Sequence, residues 1–254
     1  MGNGGQKKDR CVIITAQQAD GRVPSGVLRD GDFIVCADGG QEFAREAGLI
    51  ADAVVGDFDS SSPPDPAPGT QILTLPADKD ETDTMASVRY GMSRGFEDFL
   101  ILGGLSGRID HTYANLQTLS YLTDMQCRAR IVDGTARALM LDGVKKNVYQ
   151  FLAGLETSAP MQEPADADAQ PALPPEGDCG HLTLPYAEGC RFSVFSFEEQ
   201  SLGVWITGAR WPLENAVLTS SWPIGVSNEF LPGQAAEIYV RRGRLLILLT
   251  SNKE

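Results

Sequence analysis

Phe99-Leu100-Ile101-Leu102-Gly103-Gly104-Leu105-Ser106-Gly107-Arg108-Ile109-Asp110-His111-Thr112-Tyr113-Ala114-Asn115 reads as a strand, a glycine loop and the start of a helix. An apolar run of strand length passes into a helical pattern that continues to Asp124, which is part of a βα unit. Open α/β sheets build their sites at this kind of junction, outside the carboxyl ends of the strands. Gly103, Gly104 and Gly107 permit close backbone approach to a ligand. Arg108 brings a planar fork suited to phosphate oxygens. Asp110 opens the helix, on which His111 and Asn115 share a face at i, i+4. A bare G-G-x-x-G is a weak signal; glycines, Arg108, Asp110, His111 and Asn115 together point to a bound phosphate.

The same alternation extends over the first half of the chain. Cys11–Thr15, Asp32–Cys36, Ala53–Val55, Ile72–Leu75, Phe99–Leu102 and Ala129–Val132 read as strands, and Gln41–Ala47, Thr82–Arg94 and Asp110–Asp124 as helices. Strands alternating with helices predict a mainly parallel, Rossmann-like sheet with crossover helices. In the second helix Met85, Val88, Met92 and Phe96 recur at helical spacing, which makes them the expected buried stripe. Around residue 134 the long periodicity stops and short alternating segments take over. Arg137–Leu141, Asn147–Phe151, His181–Leu184, Arg191–Phe197, Gly203–Thr207, Glu237–Val240 and Arg244–Leu249 predict antiparallel strands. The expected organisation is an α/β domain over residues 1–134 and an all-β, sandwich-like domain over 135–254. Arg241-Arg242-Gly243 reads as a hairpin turn. Residues 156–178, with five prolines and almost no large apolar side chains, predict a mobile loop. Residues 61–69 are a shorter stretch of the same kind.

Two more acidic stretches follow predicted strands. In Gly56-Asp57-Phe58-Asp59-Ser60, an extended chain puts Asp57 and Asp59 on one side, where two carboxylates could hold a metal ion. An Asx-turn with a helix cap would use the same residues. In Lys79-Asp80-Glu81-Thr82-Asp83-Thr84, Asp80 or Thr82 can cap the next helix and leave Asp83 in its first turn. Capping does not account for Lys79, a point charge suited to phosphate. Several carboxylates aimed at one crevice call for a cation, and hard oxygen donors suit Mg²⁺.

Composition narrows the function. A net charge of −13 argues against a non-specific nucleic-acid binder, because such proteins depend on Lys and Arg to displace counterions. No apolar run approaches the ~20 residues that span a bilayer, and the first residues lack an apolar signal core. A cytoplasmic protein is expected. The five cysteines form no C-x-x-C pair and read as reduced thiols; Cys179, His181 and Cys190 do not have ordinary zinc-ligand spacing. There is no Walker A loop, protein-kinase signature or G-x-S-x-G elbow.

Asp38-Gly39-Gly40, Gly56-Asp57-Phe58-Asp59-Ser60, Lys79-Asp80-Glu81-Thr82-Asp83 and Gly107-Arg108-Ile109-Asp110-His111-Thr112-Tyr113-Ala114-Asn115-Leu116-Gln117 resemble, in order and spacing, the motifs of thiamine pyrophosphokinases. Gly208-Ala209-Arg210-Trp211-Pro212-Leu213 and Gly225-Val226-Ser227-Asn228-Glu229 resemble that family's β-domain signatures, with Ala209-Arg210 standing where members usually carry Leu-Lys. The resemblance implies transfer of a pyrophosphoryl group from ATP to the hydroxyethyl oxygen of thiamine, with Mg²⁺, by a homodimer whose sites lie between subunits. Carried onto this chain, it makes Asp57, Asp59 and Asp83 the metal ligands. Asp38, Gly39, Lys79, Asp80, Thr82, Gly104, Arg108, His111 and Asn115 become the ATP residues, and Trp211, Ser227 and Asn228 the thiamine residues. Asp83 or Asp110 would accept the alcohol proton. Trp205 and Trp222 are left as core residues. The competing readings are a Mg²⁺-dependent phosphohydrolase, a kinase of another small alcohol, and a non-catalytic thiamine or nucleotide sensor.

Overall fold

The computed structural model describes residues 9–58, 67–76, 80–143 and 179–251. Asp59, Lys79, the predicted strand Asn147–Phe151 and the predicted loop 156–178 lie outside them. The chain divides into two compact units, Met1–Gly134 and Thr135–Glu254.

In the first unit the strands are β1 (Cys11–Ile14), β2 (Phe33–Ala37), β3 (Ala53–Gly56), β4 (Gln71–Thr74), β5 (Asp98–Leu102) and β6 (Arg128–Asp133). The helices are α1 (Gly40–Glu46), α2 (Asp83–Ser93) and α3 (Ile109–Asp124). The strands lie in the order β6-β5-β1-β2-β3-β4, and every pairing between them is parallel. Their sequences are near-continuous apolar runs because both faces of a parallel sheet are covered. β1, β3 and β5 are buried along their whole length, whereas β4 is mostly exposed at the sheet edge. On one face, Phe43 and Ala44 of α1 share a core with Val12, Ile14, Cys36, Val54, Leu100 and Leu102.

The other face carries α2, and here the expected stripe is corrected. The buried residues of α2 are Thr84, Ala86, Ser87, Val88 and Gly91, while Met85 and Met92 are only half-buried. The helix lies too close to the sheet for large side chains: a Cβ on Gly91 would come within 2.8 Å of Phe99 and 2.9 Å of the Cys11 sulfur. Thr82 caps α2 by accepting from the Met85 N–H at 3.2 Å, an arrangement worth about 1 kcal/mol.

At the amino ends of the strands, Arg10 forks onto Asp32, with Nε–Oδ1 at 2.8 Å and Nη2–Oδ2 at 2.6 Å, both side chains buried. Cys11, Cys36 and Cys127 are buried free thiols, and burial pushes the Cys36 thiol up to about 12.

The second unit contains β7 (Ala136–Asp142), β8 (Gly180–Leu184), β9 (Cys190–Ser196), β10 (Gln200–Thr207), β11 (Leu213–Thr219), β12 (Asn228–Glu229), β13 (Ala236–Val240) and β14 (Arg244–Ser251). Their pairings are all antiparallel, in the orders β12-β9-β14-β7 and β11-β10-β13-β8. Alternate residues, among them Leu139, Leu141, Leu182, Val194, Val204, Ile206, Ile238 and Ile247, build a common core. β11 and β12 have no counterpart in the sequence reading; β11 is largely exposed, so no apolar alternation announces it.

Two further expectations are overturned in this unit. Arg241-Arg242-Gly243 does not close a hairpin, because β13 pairs with β8 and β10 whereas β14 pairs with β7 and β9. The turn carries the chain from one sheet to the other. Trp222 is not a core residue: it is 69% exposed in the turn after β11. Trp205 is half-buried in β10. Among the described residues no helix is long and apolar enough to cross a membrane. No group of three or more His, Cys, Asp or Glu among them is placed to hold a metal. His181 is engaged with Glu237 and stacks on Tyr239.

Candidate active site

The order of the parallel sheet reverses at β1, which has β2 on one side and β5 on the other. A crevice outside the carboxyl ends is expected at such a switch point. The residues there are Thr15–Ala19 after β1, Asp38-Gly39 after β2, Asp57 after β3, the loop 103–108 after β5, and Asp133 closing β6.

The glycine loop is held by protein. Gly104 donates its N–H to the Gln17 carbonyl at 2.8 Å, and its own carbonyl accepts from the Asn115 amide at 3.0 Å. A Cβ on Gly103 would lie 2.3 Å from the Gln17 carbonyl, and one on Gly107 would lie 2.6 Å from Gln17 Oε1. All three glycines have φ between 80° and 87°. The close approach that calls for glycine at 103 and 107 is therefore to the segment after β1, and at Gly104 to Asn115, whose Nδ2 would lie 2.4 Å from an added Cβ. Asn115 is buried and anchors the loop.

Arg108 stands at the N-cap position of α3, without a side-chain cap, and lies in the open. Its Nη2 is 2.6 Å from Asp110 Oδ2 and its Nε 3.2 Å from Oδ1. The bond from Arg108, joined by the His111 N–H at 3.0 Å, holds the Asp110 carboxyl below its usual range. The His111 side chain is exposed. The loop end thus presents a guanidinium, an ionised carboxylate and an imidazole within four residues.

Further along the sheet edge, Asp38 and Phe58 have φ of 43° and 56°. A bulky residue in the left-handed region costs about 1–3 kcal/mol and persists only where its surroundings impose it. Phe58 packs against the core shared with α1, which fixes the backbone on either side and so the exit of Asp57 from β3. Asp38 packs against Gly56. Asp83 opens α2, which packs on β3. Asp80 and Glu81 precede it, and Glu81 is held by Arg89 at 3.1 Å.

In the β unit, Trp211 is 52% exposed on a strap fastened by Asn228. Asn228 Oδ1 accepts from the Trp211 N–H at 3.1 Å, and its Nδ2 donates to the Trp211 carbonyl at 2.8 Å. Arg210 lies over the indole at 4.8 Å from the ring centre and is held by Glu229 at 2.9 Å. Ser227, at φ 58°, is exposed, and its N–H donates to Ser193 Oγ.

Residues 26–131 match the model of the thiamin pyrophosphokinase catalytic domain, and residues 181–245 match the model of the thiamin pyrophosphokinase vitamin B1 binding domain. The chain belongs to the thiamine pyrophosphokinase family. The catalytic match takes in Asp38, Asp57, Asp83, Arg108, Asp110 and Asn115, and the vitamin B1 match takes in Trp211, Ser227 and Asn228. Thiamin pyrophosphokinase 1 of Caenorhabditis elegans is 34% identical over 86 residues, which is 32% of this chain and 35% of that protein. Thiamine pyrophosphokinase of Bacillus subtilis is 23% identical over 95% of this chain and 99% of its own length. The crystal structure of a B. subtilis thiamine pyrophosphokinase superposes with a TM-score of 0.73 at 19% identity, covering 97% of this chain and all of that one. The yeast thiamin pyrophosphokinase structure gives 0.65 at 13% identity, covering 98% and 88%. At these identities the structural likeness establishes the fold.

Gln17 and Asp133, which hold the glycine loop, lie outside both matched spans. Sequence reading missed them because neither has a motif; their position at the end of a predicted strand was the available signal.

Proposed function

We propose that this thiamine pyrophosphokinase family member transfers the pyrophosphoryl group of ATP to the hydroxyethyl oxygen of thiamine, giving thiamine diphosphate and AMP. The observation that carries the reading is the succession, on one chain, of the family's catalytic and vitamin B1 binding domains. The alcohol oxygen bonds to the β-phosphorus, the bond from that phosphorus to the oxygen bridging to the α-phosphate breaks, and AMP leaves. Such a transfer depends on in-line positioning and on neutralising charge at the transferring oxygens.

Arg108 supplies fixed positive charge at the loop end, with His111 beside it, and Lys79 is the second cation assigned to the phosphates. Asp38, Gly39, Asp80, Thr82, Gly104 and Asn115 complete the nucleotide side, with Gly104 and Asn115 acting through the loop they brace. Asp83 and Asp110 are the two candidate proton acceptors; Arg108 stabilises the ionised form of Asp110 and makes it a weaker base than a free aspartate. Trp211 offers an aromatic face to the cationic thiazolium. Ser227 adds a polar contact, and Asn228 serves the vitamin by fixing the Trp211 backbone.

Asp57, Asp59 and Asp83 are assigned to Mg²⁺. The carboxylates of Asp57 and Asp83 are hard donors, and Mg²⁺ characteristically takes one or two carboxylates plus substrate phosphates, so the residue types fit. When bound, the ion would neutralise charge on the phosphate oxygens. The chain is further proposed to act in the cytoplasm as a homodimer, with Trp211 and Ser227 of one subunit completing the phosphate site of the other. The sheet of the first unit is proposed to bind its nucleotide in the Rossmann-like manner, at the strand-order reversal.

Incubation with ATP, Mg²⁺ and thiamine tests the reaction. AMP and thiamine diphosphate are expected; ADP or inorganic phosphate as the nucleotide-side product would replace this reading with a simple kinase or a hydrolase. Mixing Asp83→Asn with Trp211→Ala under subunit exchange tests the dimer. Recovered activity supports shared sites, and none despite exchange rejects them.

A further inference from the structure

Asp133 closes β6 and is 1% exposed, yet among the described residues no arginine, lysine or histidine is paired with it. Its carboxylate takes three hydrogen bonds instead: from the Ala19 N–H to Oδ1 at 2.6 Å, and from the Leu105 N–H and Ser106 hydroxyl to Oδ2 at 2.9 and 2.8 Å. All three donors lie in the two loops that leave β1 and β5, and none lies in a strand. Gln17 ties the same loops a second time. Its carbonyl accepts from Gly104 N–H, and its side-chain Oε1 accepts from the backbone N–H of Arg108 at 3.2 Å.

The need for such bracing follows from the loop itself. Three glycines at positive φ give residues 103–107 more backbone freedom to lose than side-chain-bearing residues at those positions would. A loosely held loop would spread Arg108 over many positions, and an error of about 1 Å in a positioned group can cost about 100-fold in rate. A buried carboxylate held by hydrogen bonds from two loops offsets its desolvation only when those loops keep their relative placement. The ladder of β6 with β5 does not use the Asp133 side chain. Weakening these bonds therefore loosens the crevice wall before it loosens the sheet.

We infer that Asp133 and Gln17 are positioning residues that set the pose of Arg108 toward the nucleotide phosphates. The inference rests on the proposed reading of Arg108 as a phosphate contact, and a double-mutant cycle separates the two. KM and kcat for ATP and for thiamine are measured in Asp133→Asn, Gln17→Ala, Arg108→Ala and the two doubles containing Arg108→Ala. Asp133→Asn keeps the size of the side chain but turns one acceptor into a donor facing donors. Each single loop variant is expected to lower kcat/KM for ATP by about 10- to 100-fold, with the thiamine KM unchanged. In the Arg108→Ala background the same substitutions should cost almost nothing more, because residues acting through one group are not additive.

Full additivity in the doubles would overturn the inference and leave the role of Arg108 standing. Unchanged ATP kinetics in Arg108→Ala would overturn both. If Asp133→Asn does not fold, Gln17→Ala carries the test, being a half-buried loop substitution, and normal ATP kinetics in that variant overturn the inference.

Discussion

Arg108 and Asp110 grip each other through two parallel hydrogen bonds at the mouth of the glycine loop, Nη2–Oδ2 at 2.6 Å and Nε–Oδ1 at 3.2 Å. On the proposed reading, an incoming phosphate would meet a guanidinium whose direction is already set by a carboxylate. Because the bond to Arg108 lowers the Asp110 pKa, the pair is intact above the ordinary aspartate range, near pH 4, and is lost as the pH falls through the lower folded-state value. A carbon-13 titration of the Asp110 carboxyl should give a midpoint below that of a free aspartate. In Arg108→Ala the midpoint should move up; an unmoved midpoint would show that the pair does not persist in solution.

Lysine can replace the charge of Arg108 but not its fork. Arg108→Lys should raise the KM for ATP by about tenfold, the loss of roughly one charge-assisted hydrogen bond, while the KM for thiamine stays put. A change confined to thiamine would move Arg108 to the other end of the site.

The carboxylates assigned to the metal make a separate prediction. Asp57→Asn and Asp83→Asn should each lower kcat by about 100-fold or more, since the lost interaction is charge stabilisation of the transferring group. Thermal unfolding without ligands should remain close to that of the parent. Near-normal turnover of both variants at saturating Mg²⁺ would remove these residues from the metal assignment.

Trp211 and Asn228 should behave as a unit. Trp211→Ala is expected to raise the thiamine KM by about tenfold or more, in keeping with the ~1–2 kcal/mol of a desolvated cation–aromatic contact, and to leave the ATP KM unchanged. Asn228→Ala should do the same more weakly, because it frees the strap that carries the indole. An Asn228→Ala effect on ATP alone would contradict the strap.

Two stability predictions concern the sheet interior. Arg10→Met leaves the buried Asp32 without its forked partner and should destabilise the fold by about 3–5 kcal/mol in denaturant unfolding. Thiol reagents should reach Cys179 and Cys190 in the folded protein, and Cys11, Cys36 and Cys127 only on unfolding. Burial both shields those three and raises their pKa values. Rapid native-state labelling of Cys11 would mean that the first unit opens readily.

What the chain spells out locally was legible from its residues. Apolar runs such as Val12–Ile14 and Phe99–Leu102 have few alternatives to a buried parallel strand, and Thr82 sits where a helix needs a cap, so strand order along the chain and the α2 start followed from local chemistry. The motifs around Asp57, Asp83 and Arg108 were visible for the same reason: their residue types announce their chemistry. Packing decided the rest. Whether α2 buries methionines or Ser87 and Gly91 depends on how near the helix comes to Phe99, a distance no periodicity encodes. Arg241-Arg242-Gly243 has the composition of a hairpin turn, but the pairing partners of β13 and β14 send the chain between sheets. Trp222 is apolar enough for a core and lies outside one. Gln17 and Asp133 carry no motif at all. Their contacts join residues up to 114 positions apart, and hydrogen bonds of that span exist only after the parallel sheet has brought the ends of β1, β5 and β6 to one edge.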